Sequence, residues 1–264
     1  MIIFLVVLIG LIVGSFLNVC IYRMPSEESI VMPRSYCPSC KHQIPWYDNI
    51  PMLSFIRLLG RCRFCKKKIS LRYIIVEALT AVIFVVIIKE FGLNALSVIY
   101  MILSCGLIVA TFIDFEHQII PDEITYGGMA LGLVLSFVFP QMHNTANRFY
   151  ALRDSLFGLI LGGTLILLIA SIGTLAFKKK LKEIGQDSAM GGGDVKYMAM
   201  IGAFLGWQGA VLVFFMAPFF GSVIGIIEKL RKRADVIPYG PYLSIATLVA
   251  ILWGDRILQA VFSH

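Results

Sequence analysis

MIIFLVVLIGLIVGSFLNVC, residues 1–20, carries no charged side chain. As a helix it is long enough to cross about 30 Å of hydrocarbon, so the fold turns on whether it is a removable signal or a retained span. A signal peptide opens on a basic segment and closes on a small-x-small cleavage site, and this stretch has neither. Nor does FLNVC (16–20) place small residues before its cysteine, as a lipoprotein site would. We read it as a retained membrane helix.

Seven more apolar segments follow, at roughly 73–88, 93–113, 123–139, 154–177, 195–208, 210–228 and 241–260, the sixth and seventh of the eight parted only by GWQG (206–209). The whole chain agrees: 58% of its 264 residues are hydrophobic and its mean hydropathy is +0.84, outside the range of soluble globular domains. The pattern predicts an all-α polytopic integral membrane protein of about eight transmembrane helices. It divides into a first helix (1–22), a polar loop (23–72) and a seven-helix membrane domain (73–264). The pairs Gly10–Gly14, Gly128–Gly132, Gly158–Gly162, Gly202–Gly206 and Gly221–Gly225 have the spacing that lets helices approach closely in lipid.

The net charge of +7 does not mark a nucleic-acid binder, because the basic residues cluster between apolar runs. Loop 23–72 holds ten: Arg23, Arg34, Lys41, Arg57, Arg61, Arg63, Lys66, Lys67, Lys68 and Arg72. Lys178, Lys179, Lys180 and Lys182 crowd the connector 178–194, and Lys229, Arg231, Lys232 and Arg233 the connector 229–240. The alternate loops hold only Lys89, Arg148, Arg153 and Arg256. The positive-inside bias makes the basic loops cytoplasmic and puts both termini outside.

Within loop 23–72, CPSC (37–40) and CRFC (62–65) are separated by 21 residues. Two such knuckles suit four thiolates, Cys37, Cys40, Cys62 and Cys65, converging on one structural zinc in a zinc-ribbon-like loop. Two disulfides or free thiols are the alternative, and a reducing cytoplasm disfavours the disulfides. Four cysteines complete a tetrahedral site without His42, and Cys20 and Cys105 read as small core residues.

Two acids stand out against the apolar runs. Asp114 ends the third span in FIDFEHQIIPDEIT (112–125), and Asp194 opens the sixth in GGGDVK (191–196). The orientation puts both at the cytoplasmic margin, where water reaches them. Two carboxylates brought close share one proton; the ionised one can take a proton from water and the other can protonate a carbonyl oxygen. The rival reading is an acid that faces water or caps a helix, as Asp122 after Pro121 does for the fourth span. Glu116 and Glu123 are competing acids nearby.

Four stretches, GSFLNVCIYRMP (14–25), the paired C-x-x-C loop, FIDFEHQIIPDEIT and GGGDVK, occur in the order found in bacterial type IV prepilin peptidases, which the chain resembles over essentially its whole length. Cys20 stands where an aliphatic residue is more usual. GGGD matches the G-x-G-D signature of a class of intramembrane aspartic proteases. The resemblance implies Asp114 and Asp194 as the catalytic pair, and a bacterial inner-membrane enzyme. It also implies prepilins or pseudopilins as substrates, cut on the cytoplasmic side after a glycine ending a short basic leader. Methylation of the new N-terminus with S-adenosylmethionine would follow, and pilus or secretion assembly proteins would be partners.

No glycine-rich methyl-donor loop on a strand and helix is present. Such an activity must draw on the loop and nearby helix ends, around Asn18, Arg23 and Glu77, each of which also reads as a packing or anchoring residue. Two other classes stay open on the residues alone. One is a transporter using Asp114 and Asp194 for protons or cations; the other is a non-catalytic scaffold whose zinc loop docks a partner.

Overall fold

The computed structural model of the protein describes residues 1–183, 188, 190–230 and 238–262. Ala189, before the glycine run, and Arg231, Lys232 and Arg233 of the last basic connector lie outside the described residues. The α-helices are α1 (Ile2–Arg23), α2 (Leu53–Arg57), α3 (Arg72–Phe91), α4 (Ala95–His117), α5 (Asp122–Val138), α6 (Arg148–Ala176), α7 (Lys178–Glu183), α8 (Gly192–Leu230) and α9 (Gly240–Phe262). Among the described residues no strand forms; only two isolated bridges occur, Tyr36–Gln43 and Arg61–Lys68.

Among the described residues five helices are long and apolar enough to cross a membrane: Ile2–Ser26, Ala95–His117, Arg148–Ala176, Gly192–Val223 and Gly240–Ala260. Their outer faces leave large side chains uncovered, Phe4 and Ile12 on α1 and Ile160 and Ile172 on α6 among them, which suits lipid and not water. Two other apolar segments fall short. Helix α3 has Glu77 in its body and Arg72, Lys89 and Glu90 at its ends. The 17 residues of α5 make a helix of about 26 Å, under the roughly 30 Å of hydrocarbon.

The chain forms two compact units, Met1–Val109 and Ala110–His264. In the first, α1 seats α3 on its glycines. A Cβ at Gly10 would stand 2.5 Å from Ala81 Cα, and one at Gly14 would stand 2.7 Å from Glu77 Cα. Asn18, one turn further on, donates from Nδ2 to the carbonyls of Gly14 (3.2 Å) and Tyr73 (3.0 Å) and ties the same seam.

In the second unit α6 and α8 meet glycine to glycine. Gly158 and Gly202 face each other so closely that a Cβ on either would run into the other's backbone, and one on Gly162 would stand 2.6 Å from Met198 O. Gly132 of α5 packs on Ala203 of α8.

Helix α8 is broken at Gly206 (φ +69°, ψ −177°), within the GWQG that parts the sixth and seventh apolar segments. The break reverses the chain. Tyr197 bonds Ser244 and Gly221 packs on Tyr242, so residues 197 and 221 lie at the same end of α9. In one straight helix they would stand about 36 Å apart. Leu212 packs near Gly254, further along α9, as antiparallel arms require.

At the reversal the side chain of His143 is 1% exposed and its Nδ1 lies 3.2 Å from Asp154 Oδ2. A Cβ on Gly206 would come within 2.8 Å of His143 Nδ1 and would also strike Asp154. Positive φ and this crowding both require glycine there. Gly206→Ala is therefore expected to cost on the order of 1–3 kcal/mol, read as a lowered unfolding temperature in detergent. An unchanged temperature would contradict the tight reversal.

Candidate functional site

Asp114 stands in the last turn of α4 and is 5% exposed. The backbone N–H of Gly240, the first residue of α9, donates to its Oδ2 at 2.9 Å. Every helix start has free N–H groups and a partial positive charge, and α9 directs one of them at this carboxylate. Pro241 follows, in the first turn where a missing N–H costs nothing. A Cβ at position 240 would lie 2.7 Å from Oδ2, so only glycine allows the approach.

Asp194 is the third residue of α8, half-buried, with its N–H bonded to Gly191 O at 3.2 Å. It lies within the electrostatic field of Asp114, and Tyr197 lies within the field of both. Ile120 joins the two neighbourhoods. Its side chain would stand 3.4 Å from a Cβ on Gly193 and 3.3 Å from one on Gly240. The two aspartates thus share one site at the starts of α8 and α9 and the end of α4. Beside them Gly192 has open space where a side chain would be.

A hydrogen-bond chain supports this site. Thr111 Oγ1 donates to Ser244 Oγ at 2.7 Å, and Ser244 in turn donates to Gly240 O at 2.9 Å. With its proton so committed, Ser244 accepts from the hydroxyl of Tyr197, also at 2.7 Å. Tyr197 is fully buried. Burial first, and then the charge of Asp194, push the Tyr239 phenol up to about 12, which keeps it a neutral neighbour of the acid.

Tyr239, Gly240 and Ser244, like Tyr197 and Thr111, escape a reading that looks for acids. The available signal is YGPY (239–242), a glycine before a proline at the mouth of an apolar run.

The competing acids lie elsewhere. Asp122 starts α5, as expected, and binds Lys196 Nζ at 2.7 and 2.9 Å. That lysine is thus an ion-pair partner to α5. Glu116, His117 and Glu123 are exposed.

In the first unit the four cysteines converge, their Sγ atoms all within 4.8 Å of one another, with Cys37 and Cys65 at 3.9 Å. A tetrahedral zinc with bonds of about 2.3 Å sets its sulfurs about 3.8 Å apart, so the cluster fits such an ion. The two knuckles repeat one turn. Lys41 N–H returns to Cys37 O (2.8 Å) and Lys66 N–H to Cys62 O (3.1 Å), and both lysines take a left-handed conformation, φ +57° and +59°. All the cysteines are free thiols, so no disulfide competes.

At Cys37 burial raises the pKa, but the N–H groups of Cys40 and Ser39 outweigh it and bring the thiol down to about 7. Cys40 gains from a backbone bond at His42, yet burial and the facing thiols of Cys37, Cys65 and Cys62 push it up to about 11. His42 stacks on Phe64, ring centroids 3.6 Å apart, outside the sulfur cluster. Arg63 first, and then Arg57, hold the Asp48 carboxyl below its usual range and bind the aromatic segment to the second knuckle.

Arg23 organises the loop entry, donating to Ser29 O and Pro33 O at 2.8 Å and lying over the Tyr36 ring. Glu77 accepts from Met52 N–H at 2.8 Å.

Comparison with known proteins agrees with this layout. The bacterial peptidase A24 N-terminal domain matches residues 8–91, and the type IV leader peptidase family matches residues 101–226. A prepilin leader peptidase/N-methyltransferase of Pseudomonas aeruginosa is 33% identical over 279 residues, covering 96% of this chain and 91% of that protein. One of Aeromonas hydrophila is 34% identical over 286 residues, covering 97% and 92%. One of Myxococcus xanthus is 40% identical over 232 residues, covering 86% of this chain and 63% of its own. No solved structure matches the chain.

The sulfur cluster makes a metal prediction. Purified protein is expected to contain roughly one zinc per chain by elemental mass spectrometry. Cys37→Ser or Cys62→Ser should reduce it to near zero, and acid should release it as protons compete for the thiolates. Full metal content in either variant would exclude the four-sulfur site.

Proposed function

The chain belongs to the type IV leader peptidase family, and from that premise we propose that it removes the leader of type IV prepilins or pseudopilins and then methylates the new N-terminus. Asp114 and Asp194 are the catalytic pair in this reading. The observation that carries it is their shared site, where Gly240 N–H holds Asp114 and the charge of Asp114 reaches Asp194.

The chemistry follows from the pair. The ionised carboxylate takes a proton from a water molecule, which attacks the scissile carbonyl carbon. The protonated carboxyl gives its proton to the carbonyl oxygen, and collapse of the intermediate releases the leader and a free amine. Neither a covalent intermediate nor a metal is needed. Gly240 N–H fixes one oxygen of Asp114, and the Tyr197–Ser244–Thr111 chain fixes Gly240. Around Gly192 the open space leaves room for an extended substrate strand beside Asp194.

Eight crossings accommodate the fold: α1, α3, α4, α5, α6, the two arms of α8, and α9. The basic loops then face the cytoplasm, and both acids lie at that margin of the bacterial inner membrane. The division into a first helix (1–22), a zinc loop (23–72) and a peptidase domain (73–264) belongs to this reading. Cys37, Cys40, Cys62 and Cys65 would hold a structural zinc, which fixes the loop and leaves no open coordination position. S-adenosylmethionine would supply the methyl group. Pilus or secretion assembly proteins are the expected partners besides the substrate.

Cleavage of a prepilin by the purified protein in detergent tests the pair. Asp114→Asn and Asp194→Asn should each lower the rate by at least about 100-fold with metal content intact. Asp122→Asn, which loses only a surface ion pair, should stay within about fivefold of wild type. Gly240→Ala should lower kcat more than it changes KM, because its methyl crowds Asp114. Full activity in either aspartate variant would refute the pair.

A further inference from the structure

Glu77 is 6% exposed on α3, within the first unit. Its carboxylate interacts with the backbone N–H of Met52 and the side chain of Ser15, and among the described residues no cation partners it. A buried carboxylate without a counter-charge is expensive, and packing alone does not explain one. Asn18, 1% exposed, faces the same seam. Its Nδ2 is used twice, but its Oδ1 is buried with no hydrogen-bond partner.

The two side chains share a patch. Gly14, one turn before Asn18, lies against Glu77 Cα, and Tyr73, whose carbonyl Asn18 holds, is one turn before Glu77 on α3. Met52, which covers the carboxylate, is in a left-handed conformation, φ +57° and ψ −47°, with no glycine to ease it. Strain of this kind persists where the surroundings impose it, commonly at functional sites.

A negative oxygen without a cation, an acceptor without a donor and a strained cover together describe a site for a cationic N–H donor. We propose that Glu77 and Asn18 bind the new N-terminal amine of the cleaved substrate and that Glu77 is the base for its methylation. This rests on the methyltransferase reading above.

The amine arrives as an ammonium. Glu77 takes one proton, Asn18 Oδ1 accepts another N–H, and the freed lone pair attacks the methyl carbon of a sulfonium donor. The N–C bond forms as the S–C bond breaks, and its electron pair stays on sulfur, leaving a thioether. The product is a methylated ammonium, and the proton on Glu77 returns to water.

A purely structural Glu77 would serve only as an acceptor for Met52 N–H, a task glutamine performs equally well. Glu77→Gln therefore separates the two roles while keeping the hydrogen bond. The assay uses the full chain with its metal, labelled S-adenosylmethionine, a prepilin, and an already cleaved pilin peptide with a free amine; an N-acetylated peptide is the control.

Glu77→Gln should cleave prepilin at the wild-type rate yet methylate the free peptide at least about 100-fold more slowly at neutral pH. Its rate should rise with pH toward the amine's own pKa of about 8. Asn18→Ala should raise KM for the peptide with a smaller change in kcat. Should Glu77→Gln fail to fold, losing cleavage and metal together, Asn18→Ala decides: an unchanged KM overturns the proposal. Wild-type methylation by Glu77→Gln overturns the proposal alone. No label transferred by the wild-type protein overturns the methyltransferase reading and this inference with it.

Discussion

The bond from Gly240 N–H to Asp114 sets the terms for the second unit. A carboxylate only 5% exposed in an apolar bundle is costly unless donors already in place meet it. Asp114 is met by the start of another helix. Thr111, one turn earlier on α4, holds Ser244, one turn later on α9. Two contacts a turn apart on each helix fix both separation and rotation. Tyr197 adds α8 to the clamp through the same serine, and places Asp194, three residues before it, on the side of the acid it must face. Glycine at 240 and proline at 241 are consequences of this bond.

Close approach of helices makes such a clamp possible. Within lipid, burial of apolar surface drives little association, so helices gain from close packing and from interhelical hydrogen bonds. Gly158 against Gly202 brings α6 onto α8, and Gly132 admits Ala203. The same contacts hold the first arm of α8, and with it Asp194. In the glycine run before the acid, a side chain at Gly192 would meet nothing.

Much of this was legible in the residues. Apolar runs marked the helices, the two C-x-x-C pairs marked the sulfur cluster, and Asp114 and Asp194 stood out because charge is rare in such runs. Spacing also identified Gly10–Gly14 and Gly158–Gly162 as contact faces. Other features depend on partners distant in sequence. The reversal at Gly206 needs His143 and Asp154, about 60 residues earlier at the most, and no local pattern announces it. YGPY carries no charge, and its role appears only when α9 meets α4. Lys196 is engaged by Asp122, 74 residues away, which no local pattern announces. Crossing number is the least legible quantity, because α3 and α5 carry too much charge or too little length for composition to decide.

The polar loop obeys a different constraint from the bundle. Trp46, Leu53, Ile56 and Leu59 are exposed in it, so its order cannot come from a hydrophobic core. Short local ties take that place: the sulfur cluster, Asp48 between Arg57 and Arg63, and Arg23 holding the carbonyls of Ser29 and Pro33. A metal held by the sulfur cluster would be the strongest of these, since ligand binding is itself folding energy for so small a segment. The α1–α3 seam does not depend on it, because Gly10, Gly14 and the Nδ2 of Asn18 contact α3 directly. Met52 N–H connects that seam to the loop through Glu77, and Arg23 at the end of α1 connects it through Ser29 and Pro33.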